Sequence, residues 1–361
     1  MSLIHDLLLF IGSPFTEKQK EEDKNFSNNE KIKLFELSTK NKVGLFFLQK
    51  LKDENQLSPL EKHYRRDLSR YKETKITAIN LSSRIAEITK DFAIFKFVKP
   101  YPHTPSDVDV LFFSHKKEYL ETVNKLLNNG YAKVGSCPSQ IVVYDLRGGY
   151  KQMDTRVVGG KGGGKYYIDL YNNVSASHII YIDKETLSDC KTHTEFSEGL
   201  MQTLSPEADI PVVLAHSIIP EQLFTLGDYY TTLHYCRSLN KSGLDRVAQI
   251  FRENNITIAG ISSLNLVCII HREIHGFIPD KITYLMEKIG RDPKGNTNLL
   301  FDNFSLPYRY SISTLIKVLG ERMTNENGLK SMLFQTASMC DPKLMRWVLY
   351  NIFFRRTRKT Y

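Results

Sequence analysis

Ser106-Asp107-Val108-Asp109-Val110-Leu111-Phe112-Phe113 sets two carboxylates two residues apart at the head of an apolar run. Side chains on a strand alternate between its faces, so Asp107 and Asp109 project one way and Val108 and Val110 the other. The two acids share one patch. Like charges that close repel unless a proton or a cation lies between them, and paired hard oxygen ligands are what Mg²⁺ accepts. A solvated strand end is the competing reading of any Asp-x-Asp pair. Here the apolar run that follows favours a strand entering a core, with the acids at its mouth.

A third acid stands in Lys165-Tyr166-Tyr167-Ile168-Asp169-Leu170-Tyr171, alone among aromatic and β-branched residues. Such residues favour strands, so Asp169 must be buried and paired, or aimed at the same mouth as the first two. Three carboxylates from neighbouring strands can hold two metal ions roughly 4 Å apart, the clamp used for in-line phosphoryl transfer.

With these residues in place, the order of elements resembles the nucleotidyltransferase superfamily that includes DNA polymerase beta. The likeness is a strand (Phe92 to Val98), a loop, the Asp-x-Asp strand, a helix, and a later strand with a third Asp. The chain is most similar to the uncharacterised bacterial and archaeal nucleotidyltransferase-like branch. That likeness runs through Phe97-Val98-Lys99-Pro100, Ser106 to Leu111 and Ile168-Asp169-Leu170-Tyr171. Outside the sheet it includes Asn41-Lys42-Val43-Gly44-Leu45-Phe46-Phe47-Leu48, Leu214-Ala215-His216 and Thr225-Leu226-Gly227-Asp228. It covers about residues 30 to 240. The resemblance implies Mg²⁺ or Mn²⁺ bound by Asp107, Asp109 and Asp169, with Asp169 also activating a hydroxyl acceptor. It implies an NTP as the donor of the transferred NMP.

The chain departs from the family at the phosphate loop. The superfamily places Gly-Ser or Gly-Gly after the first strand, where this chain has Lys99-Pro100-Tyr101-Pro102-His103-Thr104-Pro105-Ser106. Proline has no amide donor and fixes φ, so the loop is stiffer and offers fewer backbone contacts to a phosphate. Lys96, Lys99, His103 and Ser106 are left to compensate by side chain. Lys99 and Ser106 are the nucleotide-binding candidates, set against an ordinary solvated lysine before a turn.

Composition bounds the setting. At 361 residues and 41% hydrophobic content the chain buries a full core. Cys137, Cys190, Cys236, Cys268 and Cys340 are odd in number, scattered and free of Cys-x-x-Cys spacing, which indicates neither a disulfide framework nor a zinc site. No stretch approaches the roughly eighteen apolar residues of a membrane span, and Met1 to Phe10 carries no basic leader, so a soluble cytoplasmic protein is expected. The net charge of +9 is unevenly spread. Arg346, Arg355, Arg356, Arg358 and Lys359 crowd the end of the chain around Trp347 to Phe354, and Lys62-His63-Tyr64-Arg65-Arg66 to Arg70-Tyr71-Lys72 forms a second cluster. Basic residues mixed with tyrosines can hold a phosphate backbone, and nucleic acid is one possible acceptor. A solvated helix face and a cationic tail explain them as well, and no known binding module accompanies them.

Periodicity divides the chain into a helical region (1–90), an α/β core (91–184) and a second helical region (185–361). The core strands are Phe92 to Val98, Val108 to Phe113, Ile141 to Tyr144, Met153 to Val158 and Tyr166 to Tyr171, with a helix from Lys117 to Asn129 ended by Gly130. Beyond 185 the helical spacing continues to the end. The expected class is α+β: a small mixed-sheet nucleotidyltransferase core flanked by N-terminal and C-terminal helical regions.

Two further motifs fail on context. Gly159 to Lys165 satisfies Gly-x-x-x-x-Gly-Lys, but Tyr166 stands where Ser or Thr is needed and a strand follows instead of a helix, which makes it a hairpin tip. Its lysines could still close over a substrate. His271-Arg272-Glu273-Ile274-His275 puts two imidazoles on one helix face, without a third ligand or the zinc-protease spacing. The functional expectation is a metal-dependent nucleotidyltransferase. The alternatives are a catalytically lapsed member that binds nucleotide, nucleic acid or protein, and a purely structural protein whose helical flanks bind a partner.

Overall fold

Helix comes first, and the computed structural model shows why. Ser27 and Glu30 form a reciprocal cap: the Ser27 hydroxyl accepts from the Glu30 amide and the Glu30 carboxylate from the Ser27 amide. Residues 3–16, 25–105, 107–146, 167–290, 305–338, 340, 342, 345 and 346 are described. Helices α1 (Leu3–Ile11), α2 (Asn28–Lys40), α3 (Gly44–Asp53) and α4 (Glu61–Ala86) precede the sheet. Strands β1 (Phe92–Phe95) and β2 (Asp107–Phe112), helix α5 (Lys116–Asn128), then β3 (Tyr131–Ser136), β4 (Gln140–Asp145) and β5 (Tyr167–Tyr171) follow. A small hairpin, β6 (Val174–Ala176) and β7 (Ile179–Ile182), leads through a 3-10 turn (Lys184–Cys190) into β8 (Lys191–Phe196) and β9 (Gly199–Leu204). The rest is mostly helical: α6 (Pro206–Ile218), β10 (Leu223–Phe224), α7 (Leu226–Ser238), α8 (Lys241–Glu253), α9 (Thr257–His275), α10 (Asp280–Ile289), β11 (Tyr308–Arg309), α11 (Ile312–Arg322) and α12 (Glu326–Ser338).

Seven strands form one mixed sheet in the order β3-β4-β5-β2-β1-β9-β8. β2 runs parallel to β5 and β1 parallel to β9; the other neighbours are antiparallel. The alternation of β2 divides the molecule. Val108, Val110 and Phe112 face α4 and α5, where they pack with Ala78, Ile85, Tyr119 and Val123. Leu111, with Ala93 and Phe95 of β1, faces the larger cluster built from α1–α3 and α6–α10. The class is α+β, with a mixed sheet covered by helices on both faces.

The sheet is wider than the expected one. Helical spacing was expected throughout 185–361, but β8 and β9 form a hairpin there and extend the sheet beyond β1. β8 is an edge strand, so Lys191-Thr192-His193-Thr194-Glu195-Phe196 shows no alternation of apolar and polar residues. β3 was hidden for the same reason, as an edge strand mostly half-buried. The first strand ends at Phe95 instead of Val98, because Lys96 has φ 58° and turns the chain out of the sheet. The expected strand at Met153 to Val158, the Gly159 to Lys165 loop, Ser106, and the tail from Trp347 onward lie outside the described residues.

The second basic cluster lies on α4. Arg65 and Arg66 are exposed and pair with Glu61 and Asp67, which supports the solvated-face reading there. At the other end of the chain, the fully buried Arg322 fastens α11 to the body. Its guanidinium donates to the Asp183 carboxylate at 2.6 Å and to the carbonyls of Ile180 and Asn254, both at 3.0 Å. Among the described residues, no helix is long and apolar enough to cross a membrane.

Candidate metal centre

The parallel pairing of β2 with β5 sets Asp109 directly beside Asp169, with Asp107 two residues earlier on the same face. One carboxylate oxygen from each of the three lies within 4.8 Å of the others, the one such cluster of acidic, His or Cys ligand atoms among the described residues. Apolar residues on the opposite face hold this arrangement in place. Val108, Val110, Ile168 and Leu170 are all fully buried against α4 and α5, so neither strand can shift by one residue without exposing them.

Burial, with proximity adding, raises the proton affinity of Asp109 and Asp169. Burial, with the Asp107 charge adding, pushes the Asp109 carboxyl up to about 6 even though Lys96 opposes the shift. Burial and the charges of Asp109 and Asp107 hold Asp169 well above the usual carboxylate range. Its Oδ2 accepts a hydrogen bond from the Gln140 amide at 3.0 Å. Tyr171, two residues on from Asp169 and only 8% exposed, shares the face. Its hydroxyl makes no hydrogen bond to a described residue and is held in the neutral form by burial and by all three carboxylates. Three oxygen ligands this close together fit a hard divalent cation and its bound water.

A cation of the chain's own already reaches the cluster. Lys96 Nζ lies 2.8 Å from Asp109 Oδ2, with the two side chains only 14% and 10% exposed. The ammonium lies over the rings of Phe95 and Tyr171, 4.9 and 5.6 Å from their centroids. Burial opposes its charge, but the carboxylate of Asp109 outweighs that, with Tyr181 and Asp107 adding, and holds the ammonium above the ordinary lysine range. The left-handed φ of 58° costs a non-glycine residue about 1 kcal/mol. The conformation is held by the Lys96 amide, which donates to Asp209 Oδ1 on α6 at 2.7 Å.

The loop after β1 is tied to the same helices. The Tyr235 hydroxyl donates to the Val98 carbonyl, and the Tyr101 hydroxyl donates to the Gly227 carbonyl at 2.8 Å. Lys99 projects among Asp209, Asp228, Lys42 and Lys96, half-buried; burial lowers its proton affinity and the two carboxylates oppose that. His103 is packed among the rings of Tyr71, Phe97 and Tyr101. Burial and the Lys99 charge push its imidazole down to about 3, so it offers a phosphate no positive charge. The distant segments Asn41-Lys42 and Thr225 to Asp228 meet: the Gly227 amide donates to the Asn41 carbonyl at 2.9 Å. There Asp228 caps α7 by accepting from the Thr225 amide and hydroxyl. On the other side, Tyr181 and His216 Nδ1 are hydrogen-bonded at 2.9 Å, and burial with the Lys96 charge pushes His216 down to about 4.

Sequence reasoning chose the three acids that the structure brings together. It placed Lys96 only among side chains able to reach a phosphate, and it passed over Tyr171 and Gln140. Tyr171 was within reach of the alternation rule, being on the same face as Asp169. The pairing of Lys96 with Asp109 depends on a left-handed turn that nothing in Phe95-Lys96-Phe97 announces. His271 is no metal ligand, because both its ring nitrogens are engaged, with Ser13 Oγ at 2.8 Å and the Phe277 carbonyl at 2.7 Å. Comparison with protein-family models, curated proteins and solved structures finds no match to this chain.

Proposed function

We propose that the protein is a metal-dependent nucleotidyltransferase that moves NMP from an NTP to a hydroxyl acceptor. The observation that carries this reading is the convergence of Asp107, Asp109 and Asp169 within 4.8 Å on one face of a parallel strand pair. Those carboxylates would hold Mg²⁺ or Mn²⁺, which supplies neutralisation of the triphosphate and of the charge developing at the α-phosphate. Asp169 sits where it can orient the acceptor hydroxyl and take its proton, with the Gln140 amide fixing its rotamer. Lys96 and Lys99 supply positive charge on the side of the loop, which Tyr235 and Tyr101 anchor to α7. Alignment and charge neutralisation provide most of the rate on this reading.

The test is thermal stability with each NTP, with and without Mg²⁺ or Mn²⁺, followed by assay for pyrophosphate release. A nucleotide that binds only the native protein raises its melting temperature, by a stabilisation of about 2.7 kcal/mol at a hundred times Kd. A shift that requires both metal and nucleotide supports the reading, and indifference to every pairing overturns it. The prolines of the loop and the ammonium already resting on Asp109 favour a second reading, a lapsed enzyme that keeps only binding. That reading predicts the same shift without pyrophosphate.

Metal affinity will follow pH in a defined direction. The folded value of Asp109, about 6, lies above its ordinary 3.8, so the metal-free native state holds a proton that the unfolded chain has already lost. The stability from that proton is present below about pH 4 and is lost as pH rises through 6. A divalent ion competes with the same proton. The metal-induced rise in melting temperature is therefore expected to grow from pH 5 to pH 7 and then level off; a shift that shrinks over that interval would contradict the assignment of Asp109 as a ligand.

A further inference from the structure

We infer that Lys96 is a built-in cation of the carboxylate cluster, so that the site takes one divalent ion where three carboxylates could hold two. This rests on the metal-dependent reading above. The ammonium 2.8 Å from Asp109 Oδ2 already supplies one positive charge within the cluster, so part of the carboxylate charge is balanced before any divalent ion arrives. A second ion would have to share Asp109 with an ammonium in contact with it, and like charges that close repel strongly in a half-buried site.

Lys96 cannot easily step aside. Its amide is bound to Asp209 of α6, its backbone is held in a left-handed turn, and its ammonium lies over the rings of Phe95 and Tyr171. The side of the cluster away from Lys96 is built differently. Asp107 and Asp169 are only half-buried. These two carboxylates bound the place for the single ion.

The experiment counts Mn²⁺ bound to the full chain by electron paramagnetic resonance titration, subtracting the background given by Asp107→Asn. One site is expected in the wild type. Lys96→Gly, which removes the ammonium and suits the positive φ, and Lys96→Met, which keeps the length of the stem, are each expected to bind two. The wild-type count stands even if a variant fails to fold. Two Mn²⁺ in the wild type, or one in a folded Lys96 variant, overturns the inference and leaves the metal-dependent reading in place. No Mn²⁺ in any chain overturns both.

Discussion

Asp109→Asn is expected to abolish transfer and to weaken the fold as well, which sets it apart from its neighbour. On the proposed function the substitution removes a metal ligand, and loss of one well-placed electrostatic contact of this kind costs a rate of about 10³-fold. It also strands the Lys96 ammonium, whose partner lies 2.8 Å away with both side chains largely buried. Removing one member of a buried ion pair costs roughly 3–5 kcal/mol, because the other charge is left without compensation. Asp107 is half-buried, and its charge pushes up the proton affinity of both Asp109 and Asp169. Asp107→Asn relieves that repulsion and leaves the Lys96–Asp109 pair intact, so its metal-free melting temperature is expected to fall less than that of Asp109→Asn while the metal-induced shift disappears. Calorimetry on the two variants, with and without Mn²⁺, separates them. Equal destabilisation by both would mean that Lys96 does not depend on Asp109.

Arg322→Met is expected to be the most damaging substitution away from the carboxylates. Arg322 is fully buried, and its guanidinium serves Asp183 together with the carbonyls of Ile180 and Asn254, three acceptors from β7, its following turn and the end of α8. Asn327 also donates to Asp183 Oδ1, so the carboxylate would keep one neutral partner. A buried aspartate robbed of its cation again costs roughly 3–5 kcal/mol, with two orphaned carbonyls in addition. For a chain of this size the melting temperature would fall by roughly 10 °C. The double variant Arg322→Met/Asp183→Asn is expected to recover part of the loss, since it leaves no unpaired charge. A double variant that loses the sum of both single effects would show that packing, and not the ion pair, dominates. Transfer by the surviving folded protein should be unaffected, because Arg322 makes none of its bonds with the acid cluster.

The carboxylates were legible because alternation along a strand is a local property. Asp107 and Asp109 had to share a face, and the apolar run after them had to be buried, whatever the rest of the chain did. Asp169 could be read as a companion for the same reason: an isolated acid among Tyr167, Ile168 and Leu170 needs something to face. The width of the sheet was not legible. β8 exposes residues on both faces, and β9 begins at Gly199, which has φ 142°, so neither carries a clean period of two. Lys96 escaped for a different reason. Its conformation is imposed by Asp209, 113 positions later, and a contact that distant leaves no trace in the local pattern. His103 misled because a lone histidine beside lysines looks like a phosphate ligand until its aromatic neighbours are seen.

The hydrogen bond between Ser13 and His271 spans 258 positions and bears on how the chain is made. During synthesis the amino-terminal helices emerge long before α9, the helix that completes their cover. Until then Leu7, Leu8, Phe10 and Ile11 can pack only on α2 and α3. Contacts this distant must wait for most of the chain to leave the ribosome, which slows closure and prolongs the interval in which apolar surface can meet another copy. The outer faces of α2 and α3, with exposed Lys33, Glu36, Lys40 and Lys52, keep that nascent unit soluble while it waits.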